Sequence, residues 1–64
     1  MEVFTMTTTE KKILFDMTNE ESEMSDIVIL PELKTAYTER WFALLDLIRK
    51  LDLYEEYRKY TYGF

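Results

Sequence analysis

The 64 residues contain no cysteine and no histidine. The first absence removes disulfide bridges, thiolate metal sites and thiol nucleophiles together. The second removes imidazole ligands and the commonest general base. With one glycine, Gly63, and one proline, Pro31, the chain has no Gly-rich loop to cradle a phosphate. No base stands between Lys12 and Lys34, so direct nucleic-acid binding, which needs a basic footprint against the phosphates, has no support there. Long apolar runs and a basic start are missing as well. No signal peptide and no membrane span are therefore expected, and the expected location is the cytoplasm.

What is present is a core's worth of apolar side chains: 47% of residues are hydrophobic and 16% aromatic. That balance argues against disorder. A single small domain over residues 1–64 is expected, close to the size at which chains need extra support from a metal, a disulfide or association. With the first two unavailable, association or an unusually good core remains. Aromatic residues are enriched at protein interfaces, which favours association. The net charge of −5 lies in one half, where residues 1–30 carry seven acids against Lys11 and Lys12. Residues 31–64 balance six acids with six bases.

Residue patterns predict an α+β fold. Residues 3–8 alternate in β-branched and apolar side chains and read as a strand, with a turn at Thr9–Lys11 and a second strand over 12–18. A helical alternative competes here, because Thr7-Thr8-Thr9-Glu10 matches a capping box and Ile13, Leu14 and Met17 share a helical face. Residues 18–25 are polar and acidic and read as a loop; residues 26–30, DIVIL, read as a third short strand. From Pro31, placed where a first helical turn tolerates proline, to Leu51 the helical signal is strong. At about 100° per residue, Leu33, Ala36, Tyr37, Trp41, Leu44, Leu47, Ile48 and Leu51 fall in one arc of about 140° and define the expected core face. Phe42 and Leu45 point away from it. Glu55 would enter that face if the helix continued, so a break is expected at Asp52. As a cap, Asp52 would start a tail helix from Leu53 with a tyrosine face, ended by Gly63. The second fold considered is all-α, with three to four helices.

Chemistry-bearing motifs are few. NEESEMSD lacks the glycine and the ligand spacing of a calcium loop, so no metal is expected. Ser22 and Ser25 have no histidine to activate them, and Glu55 and Glu56 point about 100° apart on a helix. No catalytic residue, no cofactor and no enzyme activity are expected. Asp16, Glu20, Glu21, Glu23 and Asp26 instead form a candidate acidic surface for a basic protein partner, since carboxylates in a row can imitate a phosphate backbone. Phe42, Leu45, Leu53 and Tyr57 form a candidate apolar interface, to a partner or to a second copy in a homodimer. In size, acidity and lack of catalytic parts the chain resembles small phage-encoded inhibitors of host proteins, such as anti-CRISPR or anti-restriction factors. That resemblance implies an inhibitor acting in the host cytoplasm on a basic, possibly nucleic-acid-binding, surface. The alternative is a homo-oligomeric assembly module using an aromatic helix face.

Overall fold

The computed structural model describes residues 6–63, in which three helices follow one another: α1, Thr8–Ile27; α2, Pro31–Lys50; and α3, Tyr54–Tyr62. The first helix begins at a complete capping box. Thr7 Oγ1 accepts from the Glu10 backbone N–H at 3.1 Å, and Glu10 Oε1 accepts from the Thr7 N–H at 2.9 Å. Two of the amide groups that a helix start leaves without partners are thereby satisfied. These bonds hold the Glu10 carboxyl below its ordinary pKa. From this start the helix runs through the acidic segment without a break. Thr18, fully buried, stays compatible with it by donating its hydroxyl to the Leu14 carbonyl at 2.8 Å.

Acids crowd the C-terminal half of α1, with no base in its last turn, which opposes the helix dipole. Its end is held from outside. The Val28 N–H bonds to Met24 O, and Lys34, one turn into α2, donates its ammonium to the Ser25 carbonyl at 2.6 Å. Residues 28–30 make a tight extended link, and Leu30 takes the β conformation that a following proline favours. The hairpin closes on Ser25 Oγ and Thr38 Oγ1, 2.6 Å apart.

The tail folds back across one side of this hairpin. Leu14, Phe15, Ile48, Leu53 and Tyr57 form the buried core, with Met6, Leu44, Leu45 and Leu51 packed against it. The Phe15 and Tyr57 rings meet edge to face, centroids 5.5 Å apart. Polar groups then stitch α3 to α1: Tyr57 donates to Asn19 Oδ1 at 2.7 Å, Asn19 Nδ2 to Thr61 at 3.1 Å, and Lys11 pairs with Glu56 at 3.0 Å.

The α+β expectation is overturned: no strand occurs among the described residues, and the architecture is the all-α alternative. Half of the proposed first strand over residues 3–8 lies outside the described residues; of the rest, Thr7 caps α1 and Thr8 opens it. The turn at 9–11, the strand at 12–18 and the loop at 18–25 are all parts of α1. Polar composition misled at 18–25, where Asn19 and Ser25 make hydrogen bonds between helices and Thr18 bonds back to Leu14 O within α1. In DIVIL, Asp26 and Ile27 end α1 and the rest is the link. The core face of α2 is also displaced, by roughly 65° round the helix: Tyr37, Trp41, Leu44 and Ile48 turn inward as expected, but Leu33, Ala36 and Leu47 are exposed and Leu45 is drawn inward. The break at Asp52 and the Gly63 stop (φ 80°) stand where expected. Asp52, however, makes no side-chain cap to α3, whose N-cap is Leu53.

Candidate functional site

The tail covers the hairpin on one side, and among the described residues none covers the other. On α1, Ile13, Met17, Glu20, Met24 and Ile27 recur at spacings of four and three, so at about 100° per residue they share an arc of about 80°. On α2, Leu33, Ala36, Arg40, Ala43 and Leu47 do the same. Apart from the half-buried Met24, all ten are exposed, with Ile13 at 55%, Met17 at 49%, Leu33 at 46% and Leu47 at 43%. The residues through which α3 is attached, Lys11, Phe15 and Asn19 on α1 and Arg49 on α2, lie about 120–160° round their helices from these stripes. Both stripes therefore occupy the face turned away from α3. An ion pair joins the two helices, Arg40 Nε to Glu21 Oε2 at 3.2 Å. Glu21 Oε2 is buried and has no hydrogen-bond partner among the described residues, so the contact is coulombic. Tyr37 supports the guanidinium from below, its ring centre 4.7 Å from Arg40 Cζ. The molecule is a slab, 16 Å through its thinnest extent, and this is one of its broad surfaces.

The five acids singled out in the sequence do not form one patch. Asp16, Glu20, Glu23 and Asp26 follow the solvent side of α1, and all four are exposed. Glu21 turns toward α2 and meets Arg40. Asp16 is engaged as well: Tyr60 donates to its Oδ1 at 2.5 Å and Lys12 lies 3.0 Å from its Oδ2. The Tyr60 hydrogen bond first, then Lys12, holds the Asp16 carboxyl below its ordinary range, and the same contact raises the Tyr60 phenol. Glu20, Glu23 and Asp26 make no ion pair among the described residues.

Of the four residues proposed as an apolar interface, three converge inside the chain. Leu53 and Tyr57 are buried and Leu45 packs against them. Phe42 alone stays outward, half-exposed and stacked on Trp41 with ring centres 5.1 Å apart. The tail tyrosines divide likewise: Tyr57 closes the core, Tyr60 leans on Phe15 with its hydroxyl on Asp16, and Tyr62 is exposed. Sequence reasoning missed the α1 stripe. Its four-three spacing was present, but the reading of 12–18 as strand and 18–25 as loop divided it.

Among the described residues no group of three or more acids could hold a metal ion. A groove of about 360 Å³ between α1 and α3 is lined by Thr8, Lys11, Lys12, Phe15, Glu56 and Tyr60, and its charged groups are already paired. A second, of about 310 Å³, lies by Asn19, Ser22, Trp41 and Thr61. No described helix is long and apolar enough to cross a membrane. Comparison with protein-family models, with curated proteins and with solved structures finds no match.

Proposed function

We propose that this chain is a non-enzymatic protein-association module that assembles with copies of itself through the open face of the α1–α2 hairpin. The observation that supports it is the paired apolar stripes on a surface that none of the described residues covers. Two helices of 20 residues, about 30 Å long and 10 Å wide each, present roughly 600 Å² per copy. A symmetric pair then buries about 1,200 Å² in total, the lower edge of stable interfaces. Micromolar dissociation is expected at that size. Solution mass by light scattering, across protein concentration, tests it: a dimer is expected at tens of micromolar, and Met17→Asp gives a folded monomer, because Met17 contributes little to the monomer's own core. A wild-type monomer throughout that range overturns the reading.

A second reading rests on a different observation, the outward acids Glu20, Glu23 and Asp26. They favour an inhibitor or adaptor that docks on a basic protein surface, as the phage anti-defence proteins of similar size do. Binding to such a partner weakens steeply with salt. Charge reversal at Glu20 and Glu23 abolishes it; undiminished binding of that variant counts against this reading.

A further inference from the structure

The open face carries a side chain whose oxidation turns assembly off. We infer that Met17 is a modification site through which peroxide controls self-association: its thioether is oxidised in the single copy, and the resulting sulfoxide blocks pairing. This rests on the self-association reading above and holds for any orientation of the two copies.

The chain has no cysteine, so all its sulfur is thioether sulfur, in four methionines. Peroxide therefore meets no competing thiolate, and methionine is its target. Environment ranks the three methionines among the described residues. Met6 packs against the buried core and Met24 is half-buried, whereas Met17 is 49% exposed. Met17 also stands on the α1 stripe, between Ile13 and Glu20, and takes no part in the core cluster. The sulfur most open to reagent is thus one that the proposed contact would cover.

The reaction needs only hydrogen peroxide. A sulfur lone pair attacks one peroxide oxygen, the O–O bond breaks and an S–O bond forms. The departing hydroxide takes the proton from the transferred oxygen and leaves as water. Sulfur loses two electrons and the peroxide gains them. A flexible apolar side chain has become a polar, chiral one. Its new oxygen can only accept hydrogen bonds. The helical neighbours one turn away, Ile13, Leu14, Glu20 and Glu21, offer it no side-chain donor, and two of them are carboxylates. Water satisfies that oxygen on an open face. Inside an apolar contact it is stranded, and burying an unpartnered polar group is costly. The fold does not depend on Met17, so oxidation acts on assembly rather than on folding. The change is reversible, because sulfoxide reductases, one for each epimer, return the thioether at the expense of a dithiol, which leaves as a disulfide with water.

The test treats the whole chain, at tens of micromolar, with hydrogen peroxide. Peptide mass locates the added oxygen and light scattering gives the solution mass. Met17 is expected to gain oxygen before Met6 and Met24, and the dimer to weaken about tenfold or more. Helicity and a cooperative melt by circular dichroism remain, and both reductases together restore the dimer. Met17→Leu keeps the apolar volume without the sulfur and stays dimeric after the same treatment. An unchanged dimer with Met17 fully oxidised overturns the inference and leaves self-association standing. So does a Met17→Leu chain that dissociates as readily as wild type, earlier oxidation of Met6 or Met24, or a melt lost together with the dimer. Pairing shields the sulfur, so Met17 oxidation is also expected to slow as protein concentration rises. A rate indifferent to concentration, in a chain that is dimeric by mass, puts Met17 outside the contact and overturns the inference too. An untreated chain that is monomeric throughout overturns the self-association reading, and this one with it.

Discussion

Asp52 is the one described residue other than glycine with a positive φ, 59°. It stands directly after α2, where Asp52 N–H bonds to Arg49 O at 3.0 Å and Leu53 N–H reaches back to Ile48 O at 2.9 Å. That pair of bonds is the Schellman ending, whose left-handed position glycine fills most readily. The apolar contact that accompanies it is present as well, since Leu53 and Ile48 are both buried in the core. A side chain with a Cβ in this conformation costs about 1–2 kcal/mol, less for aspartate. Glycine removes that cost but brings about 0.4–1 kcal/mol of extra unfolded-state entropy. Asp52→Gly is therefore expected to stabilise by about 0.5 kcal/mol, raising the melting temperature by roughly 2–4 °C in a domain of this size. Asp52→Val, β-branched and intolerant of positive φ, is expected to destabilise by about 1 kcal/mol or more. Thermal unfolding by circular dichroism at one fixed protein concentration separates them, the fixed concentration removing any contribution from association. If Asp52 acted instead as the N-cap of α3, glycine would cost a few tenths of a kcal/mol and alanine about 1. A glycine variant that melts below wild type refutes the Schellman account.

Two further outcomes follow from burial and from charge. Ile48→Ala, at a site with no exposure, is expected to cost about 2–5 kcal/mol, enough to unfold much of a domain this small, whereas its neighbour Leu47→Ala leaves urea unfolding of the monomer within about 1 kcal/mol of wild type and weakens association instead. Thermal stability is expected to fall in acid through Glu10 and Asp16. Their pKa values are depressed in the fold, by the Thr7 backbone N–H for Glu10 and by Tyr60 and Lys12 for Asp16. Their contribution is thus complete above the unfolded carboxylate range, about pH 4, and is lost as pH falls through the lower folded values. The double variant Glu10→Gln, Asp16→Asn is expected to lose less stability between about pH 5 and pH 2 than wild type, and an identical acid limb refutes the assignment.

The sequence made the second half of the molecule legible and the first half ambiguous, for separable reasons. Over 31–51 the apolar period, the proline at the start and the misplaced Glu55 beyond the end all agreed, so α2 and its break were readable. The face that α2 buries was not. Its apolar side chains span about 140° of arc, more than one neighbouring helix covers, and only the positions of Thr38 against Ser25 and Lys34 against the α1 terminus select the buried half. Over 8–27 two local signals competed. Alternation suggested strands, whereas Thr7 and Glu10 suggested a helix start, and the capping bonds belong to the helix. Residues 18–25 were read as loop because they are polar, yet Thr18 and Ser25 are buried through hydrogen bonds that composition does not reveal. Of the candidate acids, Asp16, Glu20, Glu23 and Asp26 are exposed and Glu21 turns toward Arg40. Of the expected apolar interface residues, Leu53 and Tyr57 are buried, Leu45 packs against the core and Phe42 is exposed.

Helix lengths explain why such a surface exists at all. α3 has nine residues, about 13 Å, against the roughly 30 Å of each hairpin helix. It can therefore seal only part of one side, and it does so with its aromatic residues: Tyr57 enters the core and Tyr60 lies over Phe15. Nothing of comparable length is left in residues 6–63 for the opposite side. A hairpin of two amphipathic helices without a cover on both sides keeps apolar area in water that a second layer would bury at about 25 cal/mol per Å². In a chain with no disulfide to make up the difference, the second layer proposed here is another copy of the same hairpin.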